Sequence, residues 1–318
     1  MPGTSCRCGP MSDERRVPEL PAFVSRFPAP IRSFLEISNR TLDEFLEDGA
    51  PRLAAALAYY LLIALAPLLI VVVTLAGRMF EQAEVRNALI STAYNVFGEA
   101  GATVVNQILL QISTPSSGSV TTTAVIGTLI ALYGASAAFS QLQAALNIAW
   151  GIRARPESFR HMLRRRGFAF LAVLIIGVLF VAAIVLSTGL VRLLATWVPS
   201  FEGLTWLTEK SISFFGAAVL FGILFTVLPD RRVEWRDTVV GALVTSLLFN
   251  VGSVALGAYI GRSSVASFYG AAGSVAVVLV WLYYSTQVLL FGAEFTHVWS
   301  TRRRADRVEQ AQESSDEA

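Results

Sequence analysis

Charge is what this sequence has least of. Only 15% of its 318 residues are charged, against about a quarter in an ordinary water-soluble domain. With 54% hydrophobic residues and a mean hydropathy of +0.58, that deficit excludes a chain whose whole surface faces water. Cysteine and histidine are nearly absent, at two residues each. Cys6 and Cys8 lie in an N-terminal tail expected on the reducing side of a membrane, where disulfides do not persist, and a single Cys-x-Cys is a poor metal site. His161 and His297 stand far apart, which excludes a His-rich metal centre. There is no Gly-x-x-x-x-Gly-Lys-Ser/Thr loop and no His-Glu-x-x-His, so neither a nucleotide motor nor a zinc protease is indicated. A two-metal hydrolytic site needs several convergent carboxylates, and the apolar stretches offer one. No cofactor, no metal and no enzymatic activity are expected. The first apolar run starts only after about 50 residues, so a cleavable signal peptide is not expected. Met11 offers a second start that would remove both cysteines.

What the sequence has instead is six apolar stretches, at 53–76, 120–150, 168–191, 211–228, 238–260 and 273–296. A spanning helix needs about 20 mostly apolar residues. Alternation of period two is absent, which argues against a lipid-facing barrel, and in hydrocarbon each backbone amide must be satisfied within its own segment, which leaves helices. The expected fold is all-α, a polytopic bundle of six transmembrane helices. Orientation follows from lysine and arginine in the connecting segments. They number twenty in 1–52, 151–167, 229–237 and after 296, against five in 77–119, 192–210 and 261–272. Both termini are therefore expected in the cytoplasm. The run Arg164-Arg165-Arg166 reads as an anchor to anionic headgroups, and no nucleic-acid partner is expected. Arginine occurs 24 times against one lysine, Lys210, which hints at a GC-rich bacterium.

Flanking segments divide the rest. Residues 1–30 are rich in Pro, Gly, Ser and Arg and read as disordered. Over 31–48, Ile31, Phe34, Leu35, Leu42, Phe45 and Leu46 recur at helical spacing among Glu36, Asp43, Glu44 and Asp48, which predicts an amphipathic cytoplasmic helix packed on the bundle. Its acidic charge disfavours an anionic leaflet. In the loop 77–119, Val85, Leu89, Val96, Val104 and Ile108 predict one or two amphipathic helices on the outer side. Residues 301–318 read as a charged, frayed cytoplasmic tail, which leaves 31–300 as the membrane domain.

Polar residues inside spans are costly, so their placement carries information. Ser136, Ser140, Gln143 and Asn147 are spaced 4, 3 and 4, on one helix face. Ser246, Asn250, Ser253 and Gly257 repeat that spacing, and Trp281, Tyr284, Gln287, Phe291 and Glu294 follow at 3, 3, 4 and 3. Either the three stripes face a shared polar path, or they are interhelical packing joints. Glu294 is the one acid well inside an apolar span. It would relay protons, bind a cation or pair with an arginine, unless it sits at the interface near Arg302. Pro67 removes a backbone donor and predicts a kink. The Gly- and Ser-rich segment 261–273, with Tyr269, is a re-entrant loop or a plain outer turn.

The ordered motifs resemble one known family. Ala54-Ala55-Ala56-Leu57-Ala58-Tyr59-Tyr60 with Ala66-Pro67-Leu68, Tyr133-Gly134-Ala135-Ser136, Leu146-Asn147-Ile148-Ala149-Trp150, Leu228-Pro229-Asp230, Trp235-Arg236-Asp237 and Gly241-Ala242 resemble the YihY / virulence factor BrkB family. The closing block is closest: Tyr259, Gly261-Arg262, Tyr269-Gly270-Ala271-Ala272-Gly273, Trp281-Leu282-Tyr283-Tyr284 and Leu290-Phe291-Gly292-Ala293-Glu294. At the serine commonly found before the first-span proline motif this chain has Ala64. The resemblance implies a bacterial inner-membrane protein. It also implies an old label, ribonuclease BN, against which the missing nuclease metal cluster argues, and links to serum resistance and envelope integrity. The expected function is translocation of an envelope solute, with lipid as one possibility, along a path lined by Tyr59, Pro67, Ser140, Gln143, Asn147, Asn250, Tyr269, Gln287 and Glu294. The expected partners are membrane lipids and an envelope component. The alternative is a non-transporting membrane scaffold that recruits envelope partners through 81–113.

Overall fold

A computed structural model describes residues 29–76, 81–113, 120–152, 202–230, 233–262 and 271–316. The expected span at 168–191, His161, the run Arg164–Arg166, Tyr269 and both cysteines lie outside the described residues. Seven helices account for nearly all of the rest: α1 (Ala29–Glu47), α2 (Ala50–Ala76), α3 (Gln82–Ser113), α4 (Val120–Ala149), α5 (Glu202–Val227), α6 (Trp235–Arg262) and α7 (Ala271–Asp316). No strand occurs among the described residues.

Two of these helices are long and apolar enough to cross a bilayer among the described residues, over Trp235–Tyr259 and within Val275–Asp316. The segments Arg32–Glu47 and Ala50–Leu65, bent by 65° at the break between them, form a third candidate when taken together. The break has a local cause. Gly49 adopts φ 66°, the left-handed conformation that ends helices at low cost only for glycine. Its N–H bonds to the Leu46 carbonyl, and its own carbonyl accepts from Arg52 and Leu53 in the next helix. Pro51 follows in the first turn of α2, where a missing N–H is harmless. Further on, α2 continues as helix through Pro67.

The α3 element doubles back on itself. Arg86 Nη2 donates to Asn106 Oδ1 at 3.0 Å, twenty residues along the chain. A straight helix would separate them by about 30 Å. Val85, Leu89 and Ala93 bury against Val105 and Leu109 in one cluster, so the apolar periodicity within Gln82–Ser113 is realised as two antiparallel arms.

At the centre of the bundle is α7, which packs against α1, α2, α3, α4 and α6. The main core gathers Phe45, Ala54, Leu146, Phe225, Leu228, Leu290 and Ala293 from α1, α2, α4, α5, the turn after α5, and α7. The last arm of α7 departs from expectation. Instead of fraying after Arg302, the helix runs to Asp316. Ala305, Glu309, Gln310, Ala311, Gln312 and Glu313 are strong helix formers that carry it beyond the apolar stretch.

The seam between α6 and α7 is antiparallel and unusually close. Near one end, Arg307 pairs with Glu234 and Arg303 with Asp237. One turn deeper, a Cβ placed on Gly241 would overlap the Thr296 side chain, and one placed on Gly292 would overlap Thr245. Each threonine hydroxyl donates back to the glycine carbonyl four residues earlier in its own helix, both at 2.6 Å. The hydroxyls are thereby satisfied without widening the seam. Deeper still, Phe249 meets Trp281 edge-on with ring centres 5.5 Å apart.

Candidate functional site

The polar stripes are distributed over separate joints. On α4, the Ser140 hydroxyl donates to the Ser136 carbonyl within its own helix. Gln143 Nε2 donates to the Leu228 carbonyl at 2.9 Å. Asn147 and Asp230 form a reciprocal pair: Asn147 Nδ2 donates to Asp230 Oδ2 at 2.7 Å, and the Asp230 N–H donates to Asn147 Oδ1 at 3.0 Å. The α4 stripe therefore clamps the turn Leu228-Pro229-Asp230 that joins α5 to α6. A proline in that turn cannot donate, and Asn147 takes up the backbone donor that follows it.

On α6 the stripe turns towards α5. Ser246 Oγ donates to the Phe214 carbonyl at 2.6 Å, Ser213 Oγ reaches Asn250 Oδ1, and Asn250 Nδ2 donates to the Ser246 carbonyl. The first part of the α7 stripe turns towards α6, with the Tyr284 hydroxyl donating to the Leu248 carbonyl at 2.9 Å. That hydroxyl also occupies the space a Cβ at Gly252 would need. Gln287 is half-buried on α7, and Tyr59 is exposed on α2 with its ring against Tyr60. Nothing is described of the Pro67 side chain, and Tyr269 lies outside the described residues.

The end of the α7 stripe is different. Glu294 is 2% exposed, in a helix whose preceding turns are apolar. Its neighbours are the C-terminal turn of α1: Asp48 lies within hydrogen-bonding contact, and Glu44 is close enough to act on it electrostatically. Around them Phe45 meets Phe291 edge-on at 5.8 Å, and Ala50 and Ala293 are buried in the same core. One turn beyond, the His297 ring packs edge-on against Trp150 at the end of α4, 5.5 Å away. Asp48 itself is exposed, and Glu44 is paired to Arg40 at 3.0 Å. A buried carboxyl thus touches an exposed one across the α1–α2 elbow. This arrangement can hold a proton, or exchange it for a cation, between water and the bundle interior.

The sequence singled out Glu294 but not its partner. Asp48 was read as part of the solvated face of an amphipathic helix. The only local signal was Asp48-Gly49-Ala50-Pro51, a helix-break pattern that aims the end of α1 back at the bundle. Asp237, buried at the start of α6 and bonded to Arg303 at 3.0 Å, was likewise missed. Among the described residues, no three His, Cys, Asp or Glu side chains are grouped to hold a metal ion.

Comparison with known proteins agrees with the motif reading. A family model described as Virulence factor BrkB matches residues 41–317. A UPF0761 membrane protein of Alteromonas mediterranea is 28% identical over 251 residues, 79% of this chain and 83% of the relative. One from Pseudoalteromonas atlantica is 28% identical over 275 residues, 84% and 88% of the two chains. One from Cronobacter sakazakii is 25% identical over 279 residues, 86% and 90%. No solved structure matches the chain.

Proposed function

Since this chain belongs to the virulence factor BrkB family of membrane proteins, we propose that it moves an envelope solute across the bacterial inner membrane, coupled to a proton or a monovalent cation handled at Glu294. In this reading the chain crosses the membrane six times with both termini in the cytoplasm, which is the orientation its arginine distribution favours. One observation carries the proposal: a buried carboxyl on the central helix is in contact with an exposed carboxyl at the α1–α2 elbow. An ionisable group kept inside a membrane bundle is costly unless it is used. Asp48, exposed at the elbow, gives it a connection to water. The solute itself would pass close to the α7 stripe at Gln287 and Glu294. The test is flux in proteoliposomes, with a pH-sensitive dye inside for protons and a headgroup-labelled lipid for scrambling. Wild type should conduct, and Glu294→Gln and Asp48→Asn should each suppress flux while folding normally. Flux unchanged by both substitutions would overturn the assignment of the site.

A second reading has its own support. The α4 and α6 stripes are bonded to their immediate neighbours, which suits a rigid scaffold better than an open path. Absence of flux in every variant, with loss of envelope-partner capture on deleting residues 81–113, would favour that reading.

A further inference from the structure

We infer that α1 is an in-plane membrane helix whose exposed leucine rib is seated in the acyl chains of the leaflet at the charged end of α7. The helix has three faces rather than two. At about 100° per residue, Ile37, Thr41 and Phe45 fall on one face, and Leu35, Leu42 and Leu46 on a narrow rib about 120° away. Glu36, Arg40, Asp43 and Glu47 occupy the remaining third. The first face is buried against α7 and its neighbours. The rib is uncovered, with Leu35 at 36%, Leu42 at 45% and Leu46 at 58% exposure. The third face is charged. A helix lying between protein, lipid and water needs three such faces, whereas a cytosolic helix packed on a bundle needs only two.

Two further observations fix the occupant as lipid. The first is depth. Phe45 of α1 meets Phe291 and Phe34 meets Phe295, while Ser33 and Glu36 take the Arg302 guanidinium. Those α7 residues bracket the point where its apolar stretch gives way to Arg302-Arg303-Arg304, the level of the headgroups. Trp299, stacked on Phe295, stands at the same level, as interfacial tryptophans do. The second is direction. The 65° bend at Gly49 turns α1 well away from the line of α2, towards the membrane plane. The charged face is mixed, with Glu36, Asp43 and Glu47 against Arg32 and Arg40, so it offers no basic patch for anionic headgroups and the attachment is apolar.

The test is spin labelling of the full-length chain, with Cys6 and Cys8 replaced by serine, in phosphatidylcholine vesicles. Single labels go at 35, 42 and 46 on the rib and at 36, 43 and 47 on the charged face. Rib labels should collide several-fold more with oxygen, which concentrates in hydrocarbon, than with an aqueous nickel chelate, and charged-face labels should show the reverse. The contrast should persist when phosphatidylglycerol or salt is added. Rib labels that collide mainly with the chelate would place the rib in water and overturn the inference. Rib labels reached by neither reagent would overturn it too, since the rib would then be covered by protein, from residues 1–28 or a second copy. The three rib positions report independently, so one poorly folding variant leaves the result readable. The readout needs no transport activity, so it stands or falls apart from the role of Glu294.

Discussion

Gly241 on α6 and Thr296 on α7 share one space: the threonine side chain fills the volume a Cβ at Gly241 would take. The pair is mirrored one turn away by Gly292 and Thr245, so each helix supplies one glycine and one threonine to the seam. Close approach through small residues, without a hydrophobic driving force, is how helices associate in lipid. Gly241→Ala should therefore overpack the seam and destabilise the protein by about 1–3 kcal/mol, read as a lower midpoint of thermal unfolding in detergent. Adding Thr296→Gly should recover much of the loss, whereas adding Thr245→Gly should not. Equal rescue by both would mean the seam is not interlocked in this register.

The ion pair Arg303–Asp237 closes the same seam at its charged end. Asp237 is almost fully buried and Arg303 is 35% exposed on its side chain. Breaking a buried pair typically costs about 3–5 kcal/mol because the orphaned charge stays desolvated. With the guanidinium part-solvated, Arg303→Ala should cost less, about 2–3 kcal/mol. Arg307→Ala should cost under about 1 kcal/mol, because its partner Glu234 is exposed and such pairs are weak. Comparable losses from the two substitutions, measured in the same unfolding assay, would refute this ranking.

Much of this architecture was legible beforehand, and the rest was hidden for a physical reason. Helix existence follows from local apolar length and spacing, which one segment contains in full. The amphipathic pattern at 31–48 and the periodicity of 77–119 both became helices. What a polar side chain meets is a property of two segments and their relative register. Gly241 and Thr296 are unremarkable alone, and Asn147, though it stood out in its stripe, gave no sign that its partner would be Asp230. Glu294 stood out because burial of an acid is visible in one segment, whereas Asp48 did not, since an acid on an amphipathic helix looks solvated until the elbow at Gly49 is folded. The helical run past Arg302 was misread because polarity was taken as a stop, although polarity ends a span without ending a helix.

The reciprocal Asn147–Asp230 pair predicts energetic coupling. Asn147→Ala leaves the Asp230 N–H and carboxylate without that partner, and Asp230→Ala removes the other half. In a double-mutant cycle the two changes should be coupled by about 1–2 kcal/mol, within the range for contacting residues. Gln143 also reaches Asp230 Oδ1, at 3.3 Å, so the Gln143→Ala/Asp230→Ala cycle should give a smaller coupling of the same sign. Strict additivity in both cycles would show that α4 does not clamp the α5–α6 turn.

Topology is open to a direct chemical test, and the fold supplies the positions. Tyr94 is exposed on the first arm of α3, and Ser314 is exposed near the end of α7. Arginine placement puts these two segments on opposite sides of the membrane. In a background with Cys6 and Cys8 replaced by serine, Tyr94→Cys should react with a membrane-impermeant maleimide in intact spheroplasts. Ser314→Cys should react only after permeabilisation. The inverse pattern would turn the molecule over and put Asp48 and the charged end of α7 on the outer side. Reaction at both positions in intact spheroplasts would mean an even number of crossings between α3 and the end of α7. The Glu294–Asp48 contact would survive either result, but Asp48 would then face the compartment opposite to the one from which coupling to Glu294 is proposed.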